Sequence, residues 1–255
     1  MSTPTTQPAP AAATTGPPVV IAFATQKGGM GKTTLTVLVA SWLHYKRRIP
    51  VAVLDVDSQL SFYNLRFRET EQMDEETRVR FNAQNMDPYL VVKGEPASVP
   101  RLLTKLPPDV RLVFVDMPGN IDVEGYEAAL GSVDYLIAPM ETSEFSVTTG
   151  FSYLKAIRQI DLLPPERCLI VWNKYKEARD GALVDQLEAR FKKHGFESLK
   201  SRIPQRDSYQ DSANRSTMFV VPPTYLRHSG LKDLFVEIES LLPVPTSKPN
   251  EESNQ

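Results

Sequence analysis

Short apolar runs recur along the chain with helical patterns between them. Val19-Val20-Ile21-Ala22-Phe23-Ala24-Thr25 is apolar except for its last residue, the length and make-up of a buried parallel strand. Val51–Leu54, Leu112–Val115, Tyr135–Ala138 and Leu169–Trp172 repeat the pattern, and each run stops at Asp, Pro or Asn. Leu35 to Leu43 reads as helix. So does the segment behind a candidate N-cap at Ser143, where Val147, Phe151, Leu154 and Ile157 recur at helical spacing. Leu183, Leu187 and Phe191 do the same between Gly181 and His194, and Leu231, Leu234, Phe235, Ile238 and Leu241 form one stripe between Ser229 and Leu242. Strands this short, alternating with helices, predict an α/β fold: a mostly parallel twisted sheet with helices on both faces. From Phe62 to Asn85 the chain is charge-rich, with Arg66, Arg68, Arg78 and Arg80 among Glu69, Glu71, Asp74, Glu75 and Glu76, and a solvated helical face is expected there.

Composition narrows the picture. With 255 residues, one domain spanning 19–242 is expected. Residues 1–18 are rich in Pro, Thr and Ala and carry no charged side chain, and 243–255 is rich in Pro, Ser, Glu and Asn. Both are expected to be disordered tails, and the first lacks the basic start and apolar middle of a secretory signal. A net charge of −2 advertises no global field for nucleic acid or membrane. The single Cys168 can form neither an intrachain disulfide nor a cysteine-rich metal site, and a buried thiol fits a reducing cytoplasm. No apolar run approaches the roughly 18 residues of a membrane span. The last helix has Asp233, Glu237 and Glu239 on its polar face, the wrong sign for lying on anionic lipid, so it is expected to dock on the core.

Candidate chemistry gathers where the strands end. In parallel sheets ligands lie beyond the carboxyl ends of the strands, and there the first strand runs into Gln26-Lys27-Gly28-Gly29-Met30-Gly31-Lys32-Thr33-Thr34. A glycine-rich turn between strand and helix lets backbone N–H groups converge on an anion at the helix's positive end. Lys32 can reach β- and γ-phosphates and the Thr33 hydroxyl can hold Mg²⁺. Thr34 can meet the α-phosphate or serve only as a helix-start hydroxyl. Asp116, before Met117-Pro118-Gly119, can hold Mg²⁺ directly or through water. Asn173 offers a donor and an acceptor that suit adenine, and strand-end asparagine is equally common as a turn residue.

The ordinary phosphate-loop pattern needs glycine at position 26, and this chain has Gln26 with Lys27 before the double glycine. That arrangement resembles the deviant Walker A motif of the ParA/MinD family of ATPases. The resemblance implies a P-loop nucleotide-binding fold, ATP and Mg²⁺, and a role for Lys27 in crossing to a partner subunit's nucleotide. Asp55-Val56-Asp57-Ser58-Gln59 is similar to the family's switch I, Asp-x-Asp-Pro-Gln, with Ser58 in place of proline. By that likeness Asp57 orients or deprotonates the attacking water and Asp55 supports the Mg²⁺ shell. Asp116-Met117-Pro118-Gly119 resembles switch II, where Gly119 swings toward the γ-phosphate. Asn173 and the backbone near Pro204 would hold the base. Ser198 to Asp207 resembles the Ile-Pro-Arg region of ParA proteins, with Gln205 where arginine is usual.

From Lys200 to Lys232 the chain carries six basic residues (Lys200, Arg202, Arg206, Arg215, Arg227, Lys232) against Asp207 and Asp211, a local balance of +4. Such a stretch is either a non-specific DNA contact or an ordinary basic surface. The family likeness implies a partition or positioning ATPase: a homodimer on ATP, non-specific DNA binding, and a ParB-like or cargo adaptor protein that stimulates slow hydrolysis. No membrane partner is expected, and a cytoplasmic or nucleoid-associated location is. Two alternatives carry over. One is an ATP-dependent ligase or kinase of the related synthetase group, for which no His/Cys/Ser constellation is evident. The other is a weakly hydrolysing interaction module of a conjugation or secretion system. A reductase of the nitrogenase iron-protein type would need more cysteines than one.

Overall fold

The computed structural model describes residues 16–206 and 214–243. Most of both expected tails, and Asp207 and Asp211, lie outside the described residues. The chain forms strands β1 (Val19–Phe23), β2 (Val51–Asp55), β3 (Leu90–Lys93), β4 (Leu112–Asp116), β5 (Tyr135–Met140), β6 (Cys168–Tyr175) and β7 (Glu197–Pro204). Its helices are α1 (Lys32–Ser41), α2 (Ser61–Glu71), α3 (Glu75–Asn82), α4 (Val99–Leu103), α5 (Tyr126–Leu130), α6 (Glu144–Ile160), α7 (Glu177–Lys192), α8 (Pro223–Leu226) and α9 (Leu231–Ser240). A π-helical turn, Trp42–Lys46, continues α1.

The seven strands form one all-parallel sheet in the order β3-β2-β4-β1-β5-β6-β7. Because side chains alternate along a strand, β1 sends Val20 and Ala22 into one apolar layer and Ile21 and Phe23 into the other. The first layer lies under α5, α6 and α7, through Leu130, Leu154 and Phe191. The second lies under α1, α2 and α9, through Leu38, Phe62 and Phe235. Burial on both faces explains why the central strands read as continuous apolar runs.

The edges were harder to read. β3 has only four residues, half-exposed, paired on one side to β2. β7 alternates Leu199, Ser201 and Ile203 inward with Lys200 outward, and its register against β6 shifts twice. Ser143 does cap α6, accepting from the Ser146 N–H at 3.4 Å. Two expectations need correction. Leu183 is 42% exposed, and the buried stripe of α7 is Val184, Leu187 and Phe191. Arg66 and Glu69 are not on a solvated face: both turn inward and clasp Thr217.

As expected from its stripe, α9 docks on the core with Leu231, Leu234, Phe235 and Ile238 buried. Its acidic face has partners too. Glu237 accepts from the backbone N–H groups of Lys200 (2.7 Å) and Ser201 (2.8 Å), and Glu239 pairs with Arg47 at 2.7 Å. Cys168 opens β6 fully buried, and burial pushes its thiol up to about 12. No helix among the described residues is long and apolar enough to cross a membrane.

The Phe235 ring is fully buried and stacks on Trp42 with centroids 4.9 Å apart. Phe235→Ala is expected to lower unfolding stability by about 3–5 kcal/mol through lost transfer energy and a cavity. Urea denaturation of the two proteins checks this.

Candidate functional site

The loop after β1 owes its shape to two glycines in the left-handed region, Gly29 (φ 73°) and Gly31 (φ 89°). Gly31 opens α1, and no side chain caps that helix end, so its first N–H groups are available to an anion. A Cβ on Gly31 would sit 2.5 Å from Asn173 Nδ2. Asn173 fills that space: its Nδ2 donates to the Met30 carbonyl at 2.8 Å and its Oδ1 accepts from the Lys174 N–H at 3.0 Å. The Ser146 hydroxyl of α6 meets Met30 Sδ at 3.3 Å. The loop is thus held from β6 and α6. Asn173, expected to face adenine, lines the cleft but spends its amide on the loop itself.

Asp55 and Asp116 close adjacent strands and are direct partners in the parallel register of β2 and β4. Thr33 donates its hydroxyl to Asp116 Oδ2 at 2.9 Å, and the Tyr63 N–H donates to Asp55 Oδ2 at 2.8 Å. The other oxygens, Asp116 Oδ1 and Asp55 Oδ1, are buried without a hydrogen-bond partner. Burial, and secondly the neighbouring Asp55 carboxylate, push Asp116 up to about 7. Burial likewise raises Asp55, opposed by the N–H donors around it. Two orphaned carboxylate oxygens beside a threonine hydroxyl are an all-oxygen donor set that suits Mg²⁺. Among the described residues no group of three or more His, Cys, Asp or Glu gathers as a closed metal cage.

Asp57 lies just past β2 on a turn, half-buried, its Oδ1 accepting from the Gln59 N–H at 3.0 Å. Gly119 lies close to the loop: a Cβ there would be 3.4 Å from Lys32 Nζ. Gly28 to Thr34, Asp57, Gly119, Asn173 and Pro204 all border one open cleft of about 1130 Å³. Lys27 does not. Its ammonium lies 3.5 Å from Glu141 at the end of β5 and 5.4 Å from the Phe145 ring centre, while Glu141 also binds Lys174 at 2.7 Å. The sequence reading missed Glu141 and Lys174, although both stand one residue past or inside a strand end.

The basic stretch does not form one patch. Arg202 pairs with Asp185 (3.0 Å) and Glu188 (3.5 Å). Arg215 enters the cleft, with Nη1 3.4 Å from Thr34 Oγ1. Arg206 donates to the carbonyls of Arg227 (2.8 Å) and His228 (2.6 Å), which brings Arg206 and Arg227 together. Lys200 is exposed on the β7 edge.

A parallel sheet with a glycine turn, a lysine at a helix start and two strand-end carboxylates is the arrangement of a nucleotide-binding domain. The model of the CobQ/CobB/MinD/ParA nucleotide binding domain matches residues 21–219. The chain belongs to this family. It is a P-loop ATPase of the ParA/MinD type. Solved structures agree on the fold. A chain of the MinC:MinD cell division protein complex of Aquifex aeolicus is 16% identical, with 90% of this chain and 99% of that one covered at a TM-score of 0.64. A putative plasmid partition protein of Borrelia burgdorferi, bound to AMPPNP, is 20% identical over 88% and 99% at 0.64. A ParA family ATPase of Chlorobium tepidum is 18% identical over 88% and 99% at 0.58. No curated protein matches the chain in sequence.

In this ParA/MinD-type loop, Gly31→Ala must accept both a left-handed φ and the Asn173 amide, a strain of about 1–3 kcal/mol before the clash is counted. ATP affinity measured calorimetrically is expected to fall at least about tenfold. An unchanged affinity would mean the loop's shape is not what holds the phosphates.

Proposed function

We propose that the chain is an ATP-switched positioning or partition ATPase that dimerises on ATP, with Lys27 reaching into the partner subunit's cleft. The observation that carries this reading is Lys27 itself. It is the one lysine of the motif that does not border its own cleft, and it is held at the rim by Glu141. A cation so held can be handed across an interface, where it would meet charge developing on the transferring phosphoryl group.

Within one subunit, Lys32 and the uncapped N–H groups of α1 would bind the β- and γ-phosphates. Thr33, Asp116 and, through water, Asp55 would hold Mg²⁺, which neutralises phosphate charge when bound. Asp57 would orient the attacking water and accept its proton. Its turn is fastened at Gln59, yet Ser58 leaves it without a proline's rigidity. Slow basal turnover fits that looseness, and a partner that tightens the turn would accelerate it. Gly119, beside Lys32, would move with the γ-phosphate as switch II. Asn173 and the Pro204 backbone would border the base, Asn173 by its face since its amide is engaged.

Cargo movement would follow if the dimer binds DNA non-specifically through Lys200, Arg206 and Arg227 and leaves it when a ParB-like or cargo adaptor protein stimulates hydrolysis. α9 itself spends its apolar stripe on the core and its Glu237 and Glu239 on protein partners, so this helix is not the one that would lie on a membrane.

Asp57→Ala is expected to cut turnover by about 10²-fold and to trap an ATP-dependent dimer visible by light scattering. Adding Lys27→Ala should return that variant to monomer. Double-variant dimers as stable as those of Asp57→Ala would sink the cross-subunit mechanism. Affinity for random-sequence duplex DNA that is independent of ATP, or of salt, would sink the DNA-bound state.

A further inference from the structure

Arg215 enters the cleft from a firmly anchored base. The next residue, Ser216, accepts from Ser41 Oγ at 2.8 Å through its carbonyl. Thr217 is held from several sides. Its carbonyl accepts from Tyr45 Oη (3.0 Å) and Arg66 Nη2 (2.9 Å), its N–H donates to Glu69 Oε2 (2.9 Å), and its hydroxyl bonds both Arg66 Nε and Glu69. The inward-turned charges of α2, which look in the sequence like solvated surface, thus fix the backbone from which Arg215 projects.

From that base the guanidinium runs to the first turn of α1, Nη1 lying 3.4 Å from Thr34 Oγ1. Its Nε is buried and has no hydrogen-bond partner. No carboxylate among the described residues pairs with it, whereas Arg202, in the same basic stretch, has two. A partly buried cation with an unspent donor and no counter-ion is costly unless a ligand supplies the negative charge. Arginine's planar fork suits phosphate, and its rigid base means little entropy is lost when the ligand arrives.

We propose that Arg215 is a phosphate-binding residue of the cleft, pairing with the α-phosphate of the bound nucleotide over Thr34. The assignment rests on reading the cleft as the nucleotide site. Lys32 stands at the start of α1 for the outer phosphates, and Thr34, two residues further along the same turn and lining the same cleft, is the sequence's candidate for the α-phosphate. The α-phosphate is common to ATP and ADP, so Arg215 strengthens both alike. It anchors the nucleotide through the cycle while Lys27 and Gly119 respond to the γ-phosphate. Arg215 is thereby withdrawn from the DNA-binding surface.

The test is titration calorimetry of the full chain with Mg-ATP and with Mg-ADP, comparing wild type, Arg215→Gln and Arg215→Lys. A random-sequence duplex at saturating ATP provides a parallel arm. Arg215→Gln is expected to weaken ATP and ADP by a similar factor of about 10 to 100. Arg215→Lys, which keeps the charge and loses the fork, should recover part of that and remain about three- to tenfold weaker than wild type. The melting temperature of nucleotide-free Arg215→Gln should equal or exceed that of wild type, because a partly buried cation with no carboxylate partner among the described residues has been removed. Folded variants that bind both nucleotides within twofold of wild type overturn the proposal, and if Arg215→Gln does not fold the same criterion applied to Arg215→Lys decides. Loss of DNA affinity at saturating ATP with nucleotide affinity intact overturns it as well. A wild-type chain that binds neither nucleotide removes the nucleotide reading, and this assignment with it.

Discussion

Two carboxylates forced side by side in the interior are the constraint on which the site depends. Asp55 and Asp116 are register partners on adjacent parallel strands, both essentially without exposure, and each keeps one oxygen unpaired. A buried anion costs several kcal/mol even after relaxation, and burial together with the neighbouring Asp55 pushes Asp116 up to about 7. The cost persists because the sheet cannot release either one: β2 and β4 are central strands with burial on both faces. The Thr33 hydroxyl meets one of the two carboxylates and so ties the start of α1 to the end of β4. The fold therefore keeps unsatisfied polarity beside the phosphate loop, where the proposed Mg²⁺ would sit.

The phosphate loop is held to the same strand ends. Asn173 grips the Met30 carbonyl from β6, and a side chain at Gly31 would displace that amide. Glu141, past β5, holds Lys27 and Lys174 together. Loops after β1, β5 and β6 thus share one polar seam. The seam is unequal in strength. The Asn173 bond is buried and short at 2.8 Å, whereas Lys27 and Glu141 meet at 3.5 Å with about a fifth of each side chain exposed, the looser of the two contacts. Lys27 is tied to the seam by its side chain alone, while the shape of the loop rests on the Asn173 bond and the two left-handed glycines.

The interior strands were legible because burial on both sides leaves apolar runs with no polar interruption. The edge strand β3 was not, since three apolar residues against a single neighbour carry too little pattern. Within helices, spacing gave the buried stripe of α9 in full, but it misassigned Leu183 on α7, where Val184 one residue on takes the inward position. The charged residues of α2 were misread for a different reason. Charge count along a helix says how many groups need water or partners; it does not say that Thr217, 151 residues away, will be the partner of Arg66.

The amino-acid sequence alone determined the parallel α/β class, the phosphate loop with its extra Lys27, and the strand-end aspartates. These follow from local composition: backbone freedom at glycine, apolar continuity in a buried strand, and the position of each polar residue where a strand stops. Only the tertiary structure decided what Lys27, Asn173, Arg202 and Arg215 do in the folded chain. Glu141 takes Lys27, the loop takes the Asn173 amide, two carboxylates of α7 neutralise Arg202, and Arg215 turns into the cleft. A charge's role depends on which opposite charges the fold brings within a few ångströms, and that proximity arises between segments far apart in the chain.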